Sequence, residues 1–345
     1  MEAVVRPGDL AALASVFPRL EAGESLALLP IATDPERTDP PPGPGPWLGV
    51  TSSGSTGRAK LVWRDWPGLL AAASRKPGAA RWRWASPYQP QTFAGMQVAL
   101  QAWVSGGTIR SLGGDWDEVW RTLAREAIEA VSATPTFMDL LLQNEPVPVV
   151  DWTPRQLTLG GEPLRASVGA RLRNRFPQTR CTVIYASAEL GLLLKTGRLD
   201  GWYEADFLGQ RWAGWRIEQG VLEVNDGTRW WRTGDEVVAE GPLLKVVGRA
   251  DAVANVAGTK VSLAEVAERA EEVPGVRRAV AVARENPVTG QVVALKYALD
   301  SGAVPADVER ELQAHLRRTL RKEAWPRQWE QTEIGATVNA KRAVR

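Results

Sequence analysis

The stretch WLGVTSSGSTGRAK, Trp47–Lys60, places a short apolar run directly before a loop of small residues. The apolar residues Trp47–Val50 predict a buried strand. Gly54 and Gly57 permit positive φ and a close approach of the backbone to a ligand. Successive N–H groups can then form an anion-binding concavity. Lys60 adds positive charge, so the loop suits a triphosphate.

The same loop is not a Walker A motif. That motif, G-x-x-x-x-G-K-[ST], does not fit, because Ala59 stands where its second glycine belongs and Leu61 where its Ser or Thr belongs. A flexible surface loop is the alternative when the segment is taken alone. Motifs elsewhere in the chain are needed to distinguish a phosphate-binding loop from a surface loop.

Beyond the loop, helix-like and strand-like runs alternate along the chain. The pattern predicts helices at Asp117–Ala127 and Leu164–Phe176, and strands at Ile128–Ser132 and Cys181–Ala186. Such alternation is typical of a layered α/β core with parallel strands. The sequence therefore predicts an α/β protein with a large layered N-terminal domain.

The second half of the chain has a different pattern. Trp215–Val224 predicts a hairpin that turns near Gly220, in a β-rich portion of the large domain. Helices at Val261–Glu272 and Asp307–Arg321 indicate a small, mobile α+β domain at the C-terminus. We place the domain boundary so that residues 1–249 form the large domain and residues 250–345 the small one.

Composition and charge exclude several classes of function. The formal net charge is only +2 over 345 residues, so neither nucleic acid nor an anionic membrane is an expected partner. His315 is the only histidine and Cys181 the only cysteine, which excludes a two-His metal site and an intrachain disulfide. No apolar run reaches the roughly 18 residues that span a bilayer. Without a signal-peptide pattern at the start, we expect a cytoplasmic protein.

Six motifs along the chain resemble those of the adenylate-forming superfamily, which contains acyl- and aryl-CoA synthetases and peptide-synthetase adenylation domains. The loop resembles T-S-G-[ST]-T-G-x-P-K, with Ser52 and Ala59 in place of the family's Thr and Pro. The other five resemble G-G-E-x-L, Y-G-S-T-E, T-G-D, G-R-x-D with G-x-[RK]-V, and N-G-K, in the family order. They lie at Gly160–Leu164, Tyr185–Glu189, Thr233–Asp235, Gly248–Val261 and Asn339–Lys341.

The resemblance implies a nucleotide site for ATP. It assigns nucleotide binding to fifteen residues: Ser52, Ser53, Gly54, Ser55, Thr56, Gly57, Lys60, Gly160, Gly161, Glu162, Tyr185, Ala186, Ser187, Asp235 and Arg249. Tyr185 would stack on adenine, and Asp235 would accept hydrogen bonds from the ribose hydroxyls. Arg249 would bind ribose or phosphate.

The same resemblance implies the catalytic groups. Glu189 would be a catalytic residue that helps to hold Mg²⁺, and Asp251 would be the hinge between the domains. Lys341 would be the catalytic lysine, since an ammonium group neutralises the repulsion when a carboxylate meets the α-phosphate. For each of these residues an ordinary structural role is the alternative: a helix-terminal acid, a turn residue or a basic tail.

The expected reaction is ATP-dependent formation of an acyl-adenylate, followed by transfer to coenzyme A. Loading of a carrier protein and a non-catalytic nucleotide-binding relative are the alternatives. The chain also resembles short bacterial o-succinylbenzoate–CoA ligases, enzymes of menaquinone biosynthesis, which likewise begin close to the phosphate loop. By this resemblance Thr92, Phe93 and Gly95 would bind the aryl acid, with Thr92 at the place of a family His.

Several positions depart from the family pattern. Ala186 and Ala188 replace the Gly and Thr of Y-G-S-T-E, and Ala340 replaces the Gly before the lysine. Because only 50 residues precede the phosphate loop, we also expect much of the usual N-terminal subdomain to be missing. The departures favour a weakened or specialised enzyme, while Lys341, Glu189 and Asp235 are all retained.

Overall fold

The computed structural model describes most of the chain, in eight ranges: 3–31, 43–52, 60–73, 81–146, 148–205, 212–250, 253–300 and 302–332. The described residues form two compact units, one before residue 210 and one after it. Both units combine helices and strands, which confirms the predicted α/β class. The predicted domain boundary between residues 249 and 250 falls inside the second unit. It stays a prediction, because a boundary between domains that move is defined by that motion and not by the contacts of one conformation.

The first unit opens with a four-stranded sheet. Its strands in spatial order are β1 (Ala3–Val5), β2 (Leu26–Leu28), β3 (Trp47–Ser52) and β4 (Lys60–Asp65). β1, β2 and β3 are parallel, while β4 runs antiparallel to β3 with Lys60 opposite Ser52. The strand predicted at Trp47–Val50 is confirmed as β3. Residues 53–59, between these two strands, lie outside the described residues.

A six-stranded sheet forms the rest of this unit. Its strands are β5 (Arg83–Ser86), β6 (Thr108–Ser111), β7 (Ala130–Ala133), β8 (Gln156–Gly160), β9 (Arg180–Ser187) and β10 (Gly191–Thr196). Their order is β10-β9-β8-β7-β5-β6, and every neighbouring pair is parallel except β9 and β10. A short strand, β11 (Trp202–Glu204), follows.

Six helices accompany these strands in the first unit. They are α1 (Phe17–Glu21), α2 (Trp66–Ala73), α3 (Phe93–Val104), α4 (Trp116–Arg125), α5 (Pro135–Gln143) and α6 (Ala166–Arg175), and Ala11–Ser15 adds a 3₁₀ turn. α3, α4, α5 and α6 each connect two parallel strands of the six-stranded sheet, which confirms the predicted alternation. Asp115 caps α4 by accepting a 2.8 Å hydrogen bond from the N–H of Glu118.

The first hydrophobic core lies between the four-stranded sheet and its helices. Leu10, Phe17, Leu48 and Met96 are all less than 2% exposed and belong to one packed cluster. Residues from the first 50 positions therefore share a core with α3. Burial of apolar surface on this scale is the main force that holds the sheet and helices together.

The second unit begins with an antiparallel meander of four strands. They are β12 (Gly214–Glu218), β13 (Val221–Asn225), β14 (Trp230–Glu240) and β15 (Leu243–Arg249). The hairpin predicted at Trp215–Val224 is confirmed. It turns at Gln219 and Gly220, which both have positive φ, the backbone region that a tight hairpin turn requires.

The remainder of this unit is an α+β layer. It contains β16 (Val253–Val256), β17 (Thr259–Ser262), α7 (Leu263–Glu271), β18 (Val276–Asn286), β19 (Gly290–Leu299), α8 (Pro305–Thr319), a 3₁₀ turn (Lys322–Ala324) and β20 (Gln328–Gln331). The predicted helix at Val261–Glu272 begins two residues later than expected, because Val261 belongs to β17 and Ser262 caps the helix. A buried cluster that includes Val266, Leu295 and Leu312 unites the helices with the sheet. No helix in the described ranges is long and apolar enough to cross a bilayer.

Candidate nucleotide and acyl-binding site

The second and third predicted motifs lie at the carboxyl ends of adjacent parallel strands. Gly160 is the last residue of β8 and pairs with Ile184 of β9. The motif of Tyr185 to Ser187 completes β9 one residue further on. Ligands of open α/β sheets bind beyond the carboxyl ends of the strands. The structure therefore brings these two motifs together at the end of the sheet where a nucleotide would be bound.

The turn after β8 depends on its glycine. Gly161 has φ of +83°, a conformation that L side chains rarely adopt. The hydroxyl of Tyr88 donates a 2.9 Å hydrogen bond to the carbonyl oxygen of Gly160. A Cβ atom built on Gly161 would lie 3.7 Å from that hydroxyl oxygen. Tyr88 thus packs directly over the predicted nucleotide-binding turn.

Tyr88 is a residue that sequence reasoning missed. Burial, and then the negative charge of Glu162, raise the pKa of its phenol above the usual value. The neutral hydroxyl is therefore maintained as a donor to Gly160. The available signal was its position in the sequence shortly before Thr92, Phe93 and Gly95, the predicted acid-binding residues.

Glu162 makes a contact that the motif alone does not reveal. Its Oε1 accepts a 2.5 Å hydrogen bond from the N–H of Thr136, in the first turn of α5. Thr134 caps the same helix by accepting from the N–H of Phe137 at 3.1 Å. A carboxylate at a helix N-terminus is stabilised by the exposed N–H groups there. Glu162 thus ties the glycine turn to α5, and its predicted contact with the nucleotide stays a prediction.

The predicted acid-binding segment lies next to the strand that leads into the phosphate loop. The N–H and the hydroxyl of Thr51 both donate to the carbonyl oxygen of Gln91, at 2.8 Å and 3.2 Å. Thr51 and Thr92 form an isolated parallel β-bridge. The loop after β5 therefore contacts the end of β3 through Gln91 and the Gly160 turn through Tyr88.

The hydroxyl of Thr92 has a structural use. It donates to the carbonyl oxygen of Gln89 at 2.7 Å and accepts from the N–H of Gly95 at 3.2 Å, which makes Thr92 the N-cap of α3. Gly95 is required by packing, since a Cβ there would lie 2.1 Å from the Gln89 carbonyl oxygen. Phe93 is 7% exposed and belongs to the first core. Acid binding by Thr92, Phe93 and Gly95 remains a prediction.

Glu189 lies in the turn between β9 and β10, and its side chain is exposed. The hydroxyl of Ser187 accepts a 3.0 Å hydrogen bond from the N–H of Leu190 and closes this turn. The chain therefore forms a hairpin after the motif, and Glu189 is not the N-terminal acid of a helix. Its exposed oxygens are hard ligands of the kind that Mg²⁺ prefers.

The metal chemistry fits this arrangement. In the described part of the chain, no three His, Cys, Asp or Glu side chains are grouped as a metal site. Mg²⁺ is usually bound through one or two carboxylates together with substrate phosphates and water, so a dedicated protein cage is not needed. Glu189 is the residue that would contribute the carboxylate.

Two motif residues meet in the second unit. Asp235 of β14 lies opposite Arg249 of β15, and a 3.5 Å distance joins Arg249 Nη1 to Asp235 Oδ1. Arg249 also donates to the carbonyl oxygen of Thr233 at 3.2 Å. Asp235 of the T-G-D motif and Arg249 of the G-R-x-D motif, which are 14 residues apart in sequence, are thus adjacent on neighbouring strands.

The phosphate loop is described only at its base. Ser52 ends β3 and Lys60 begins β4, and the two residues are paired on these neighbouring antiparallel strands. Five predicted loop residues, the predicted hinge and the predicted catalytic lysine lie outside the described residues: Ser53, Gly54, Ser55, Thr56, Gly57, Asp251 and Lys341.

A family model described as AMP-binding enzyme matches residues 19–216, more than half of the chain. The chain belongs to the AMP-binding enzyme family. The match includes the phosphate loop, the Gly160 turn and the Tyr185–Glu189 motif. The predicted membership of the adenylate-forming superfamily is confirmed. No curated protein sequence matches the chain at a significant level.

Solved structures of AMP-binding enzymes share the fold. A variant of MenE from E. coli with bound OSB-AMS superimposes with a TM-score of 0.73 at 14% identity, covering 96% of this chain and 84% of that one. The amide bond synthetase McbA from Marinactinospora thermotolerans gives 0.67 at 20% identity, with 98% and 77% covered. The anthranilate CoA ligase AuaEII, in complex with anthranoyl-AMP, gives 0.66 at 14% identity, with 98% and 75% covered.

Proposed function

We propose that this protein is an ATP-dependent carboxylate–CoA ligase that acts through an acyl-adenylate. In the first step a carboxylate oxygen attacks the α-phosphorus of ATP, and pyrophosphate leaves. In the second step the thiol of coenzyme A attacks the acyl carbon, loses its proton and releases AMP. Membership of the AMP-binding enzyme family supports the first step. Coenzyme A as the acceptor in the second step is proposed in addition.

One observation carries the proposal most directly. The loop after β5 contacts the strand before the phosphate loop through Gln91, and the glycine turn after β8 through Tyr88. An acid bound beside this loop would therefore lie between the predicted phosphate and adenine positions. That is where a carboxylate must be held to meet the α-phosphate, because reaction requires the two groups to be brought together in a fixed orientation.

The roles of the other residues follow from their chemistry. Asp235 and Arg249 would bind the ribose and a phosphate, and Glu189 would contribute to the binding of Mg²⁺. Lys341 would stabilise the charge that develops as two anions react. Asp251 would be the hinge that exchanges the adenylation and thiolation conformations. These assignments, and a cytoplasmic location, are part of the proposal.

For the acid we propose an aryl carboxylate, with o-succinylbenzoate as the first candidate and menaquinone biosynthesis as its context. The buried ring of Phe93 and the apolar side chain of Met96 follow the loop that contacts both halves of the site. Binding sites for small organic ligands are mostly apolar with few polar groups. The names of two structural neighbours, MenE and an anthranilate CoA ligase, agree with an aromatic acid.

The decisive experiment is carboxylate-dependent exchange between ATP and labelled pyrophosphate. Purified protein is assayed with o-succinylbenzoate, benzoates, anthranilate, fatty acids and amino acids. Exchange with an aryl acid supports the proposal, and exchange only with aliphatic or amino acids overturns the choice of acid. No exchange with any acid, from protein that still binds ATP, favours the non-catalytic alternative.

A second assay identifies the acceptor. Acyl-adenylate is supplied together with coenzyme A, a phosphopantetheinylated carrier protein, or a simple amine. Thioester formation with coenzyme A is the expected result. Transfer only to the carrier protein or only to the amine would replace the CoA ligase by an acyl-carrier ligase or an amide synthetase, and would leave the adenylation step unchanged.

A further inference from the structure

Arg64 is a buried cation that connects the two sheets of the first unit. It lies on β4, and the residue as a whole is 8% exposed. Its Nη1 donates to the carbonyl oxygen of Glu189 at 2.6 Å and to that of Ala188 at 3.3 Å. Both acceptors belong to the turn between β9 and β10, more than 120 residues away in the sequence.

The surroundings of Arg64 favour a fixed side chain. Its guanidinium carbon lies 5.6 Å from the centre of the Phe93 ring, within the range of a cation–π contact. Ala188, one of its two acceptors, is itself 8% exposed. Burying a charged group is costly unless its donors are used, and a planar guanidinium presents them in a rigid fork. The side chain therefore contacts the predicted acid-binding segment and the Glu189 turn at the same time.

We propose that Arg64 is a positioning residue for the carboxylate of Glu189. By holding the carbonyl groups of Ala188 and Glu189, it fixes the backbone from which that carboxylate projects. Glu189 is exposed and lies in a turn, so its orientation depends on how firmly this turn is held. The inference rests on the proposed function, because it supposes that Glu189 helps to bind Mg²⁺ with ATP.

The test compares Arg64→Met with Glu189→Gln and with the double variant. Met keeps an apolar stem of similar reach but has no donors. Arg64→Lys is a second variant that keeps the charge. It allows the same measurement if Arg64→Met fails to fold. Arg83→Met is the control for loss of a guanidinium donor alone, since Arg83 also donates to a backbone carbonyl, that of Ala127 at 2.8 Å, but lies on a different strand with its side chain 49% exposed.

The main readout is binding, followed by the fluorescence of the protein's tryptophans or by calorimetry, with ATP titrated at a series of Mg²⁺ concentrations. We expect Arg64→Met to raise the Mg²⁺ concentration for half-maximal ATP binding about tenfold, as loss of an outer-shell partner does at metal sites. Glu189→Gln should raise it similarly, and the double variant should add little, because both changes remove one coupled interaction. Arg64→Lys should lie between wild type and Arg64→Met, and Arg83→Met should match wild type.

The possible failures can be told apart. If Arg64→Met or Arg64→Lys lowers only the thermal stability, and folded protein keeps the wild-type Mg²⁺ dependence while Glu189→Gln changes it, the positioning role is wrong and the proposed function stands. Additive effects of the two changes in the double variant would likewise overturn the positioning role. If wild-type protein shows no Mg²⁺-dependent ATP binding, the proposed function itself fails, and the role of Arg64 fails with it.

Discussion

Asp235 and Arg249 lie opposite each other on β14 and β15, with 3.5 Å between their nearest carboxylate and guanidinium atoms. The side chain of Asp235 is 16% exposed and that of Arg249 is 48% exposed. An ion pair this accessible contributes little to folding stability by itself. Its value is geometric, since two residues from separate motifs present complementary charges at one place where a ribose or phosphate could be bound.

Gly234 makes this arrangement possible, and Gly234→Ala tests it. Gly234 has φ of +76°, and a Cβ there would lie 2.8 Å from Arg249 Nη2. We expect the variant to lose about 1–2 kcal/mol of unfolding free energy from the left-handed backbone alone, and to bind ATP more weakly because Arg249 is displaced. Gly227→Ala is the control, because Gly227 has φ of +94° and nothing within 4 Å of its Cβ position. Equal ATP affinities for the two variants would contradict the prediction.

Tyr88→Phe should change how stability depends on pH. Burial and the charge of Glu162 raise the pKa of Tyr88 in the folded protein, whereas in the unfolded chain it is about 10. Above that pH the unfolded state loses the proton and the folded state keeps it, so stability falls as pH rises. The limiting slope for one proton is about 1.4 kcal/mol per pH unit.

The variant removes this proton, so its unfolding free energy should fall less steeply between about pH 10 and pH 11.5. Below pH 9 it should be less stable by about 1 kcal/mol, because the hydrogen bond to Gly160 is lost. Urea unfolding at a series of pH values measures both effects. An alkaline slope identical to that of wild type would show that the phenol does not remain protonated in the folded protein.

The hydroxyl of Thr92 is predicted to stabilise α3. Thr92→Val keeps the shape of the side chain but loses the hydrogen bonds to Gln89 and Gly95, and should lower the unfolding free energy by about 1 kcal/mol. Thr92→Ser retains a hydroxyl and should lie close to wild type. Chemical denaturation of the three proteins provides the comparison, and an unchanged stability in Thr92→Val would mean that the cap is not important.

Lys341→Ala should separate the two half-reactions. In the proposed role its charge acts when the carboxylate meets the α-phosphate, so pyrophosphate exchange should fall by about 10²–10³-fold or more. Transfer from supplied acyl-adenylate to coenzyme A should be largely retained. Arg342→Ala is the matched control, since it removes the neighbouring positive charge. Equal losses in both half-reactions would exclude the proposed role for Lys341.

Much of the fold could be predicted because it depends on local patterns. The alternation of helix-like and strand-like apolar patterns along the chain predicted β7, β9, α4 and α6 to within a few residues. Gly220 indicated a hairpin turn, and it adopts the positive φ that a side chain disfavours. The order of the motifs also indicated the family, since the residue types that the motifs require can be recognised directly in the sequence.

The sequence by itself determined which residues are available for chemistry, and only the tertiary structure decided which of them meet. Arg64 reaches Glu189, and Tyr88 reaches Gly160, across separations of 125 and 72 residues. No local pattern contains these outcomes, because contacts between distant residues depend on the order and register of the strands, and that order is selected by burial of the whole core.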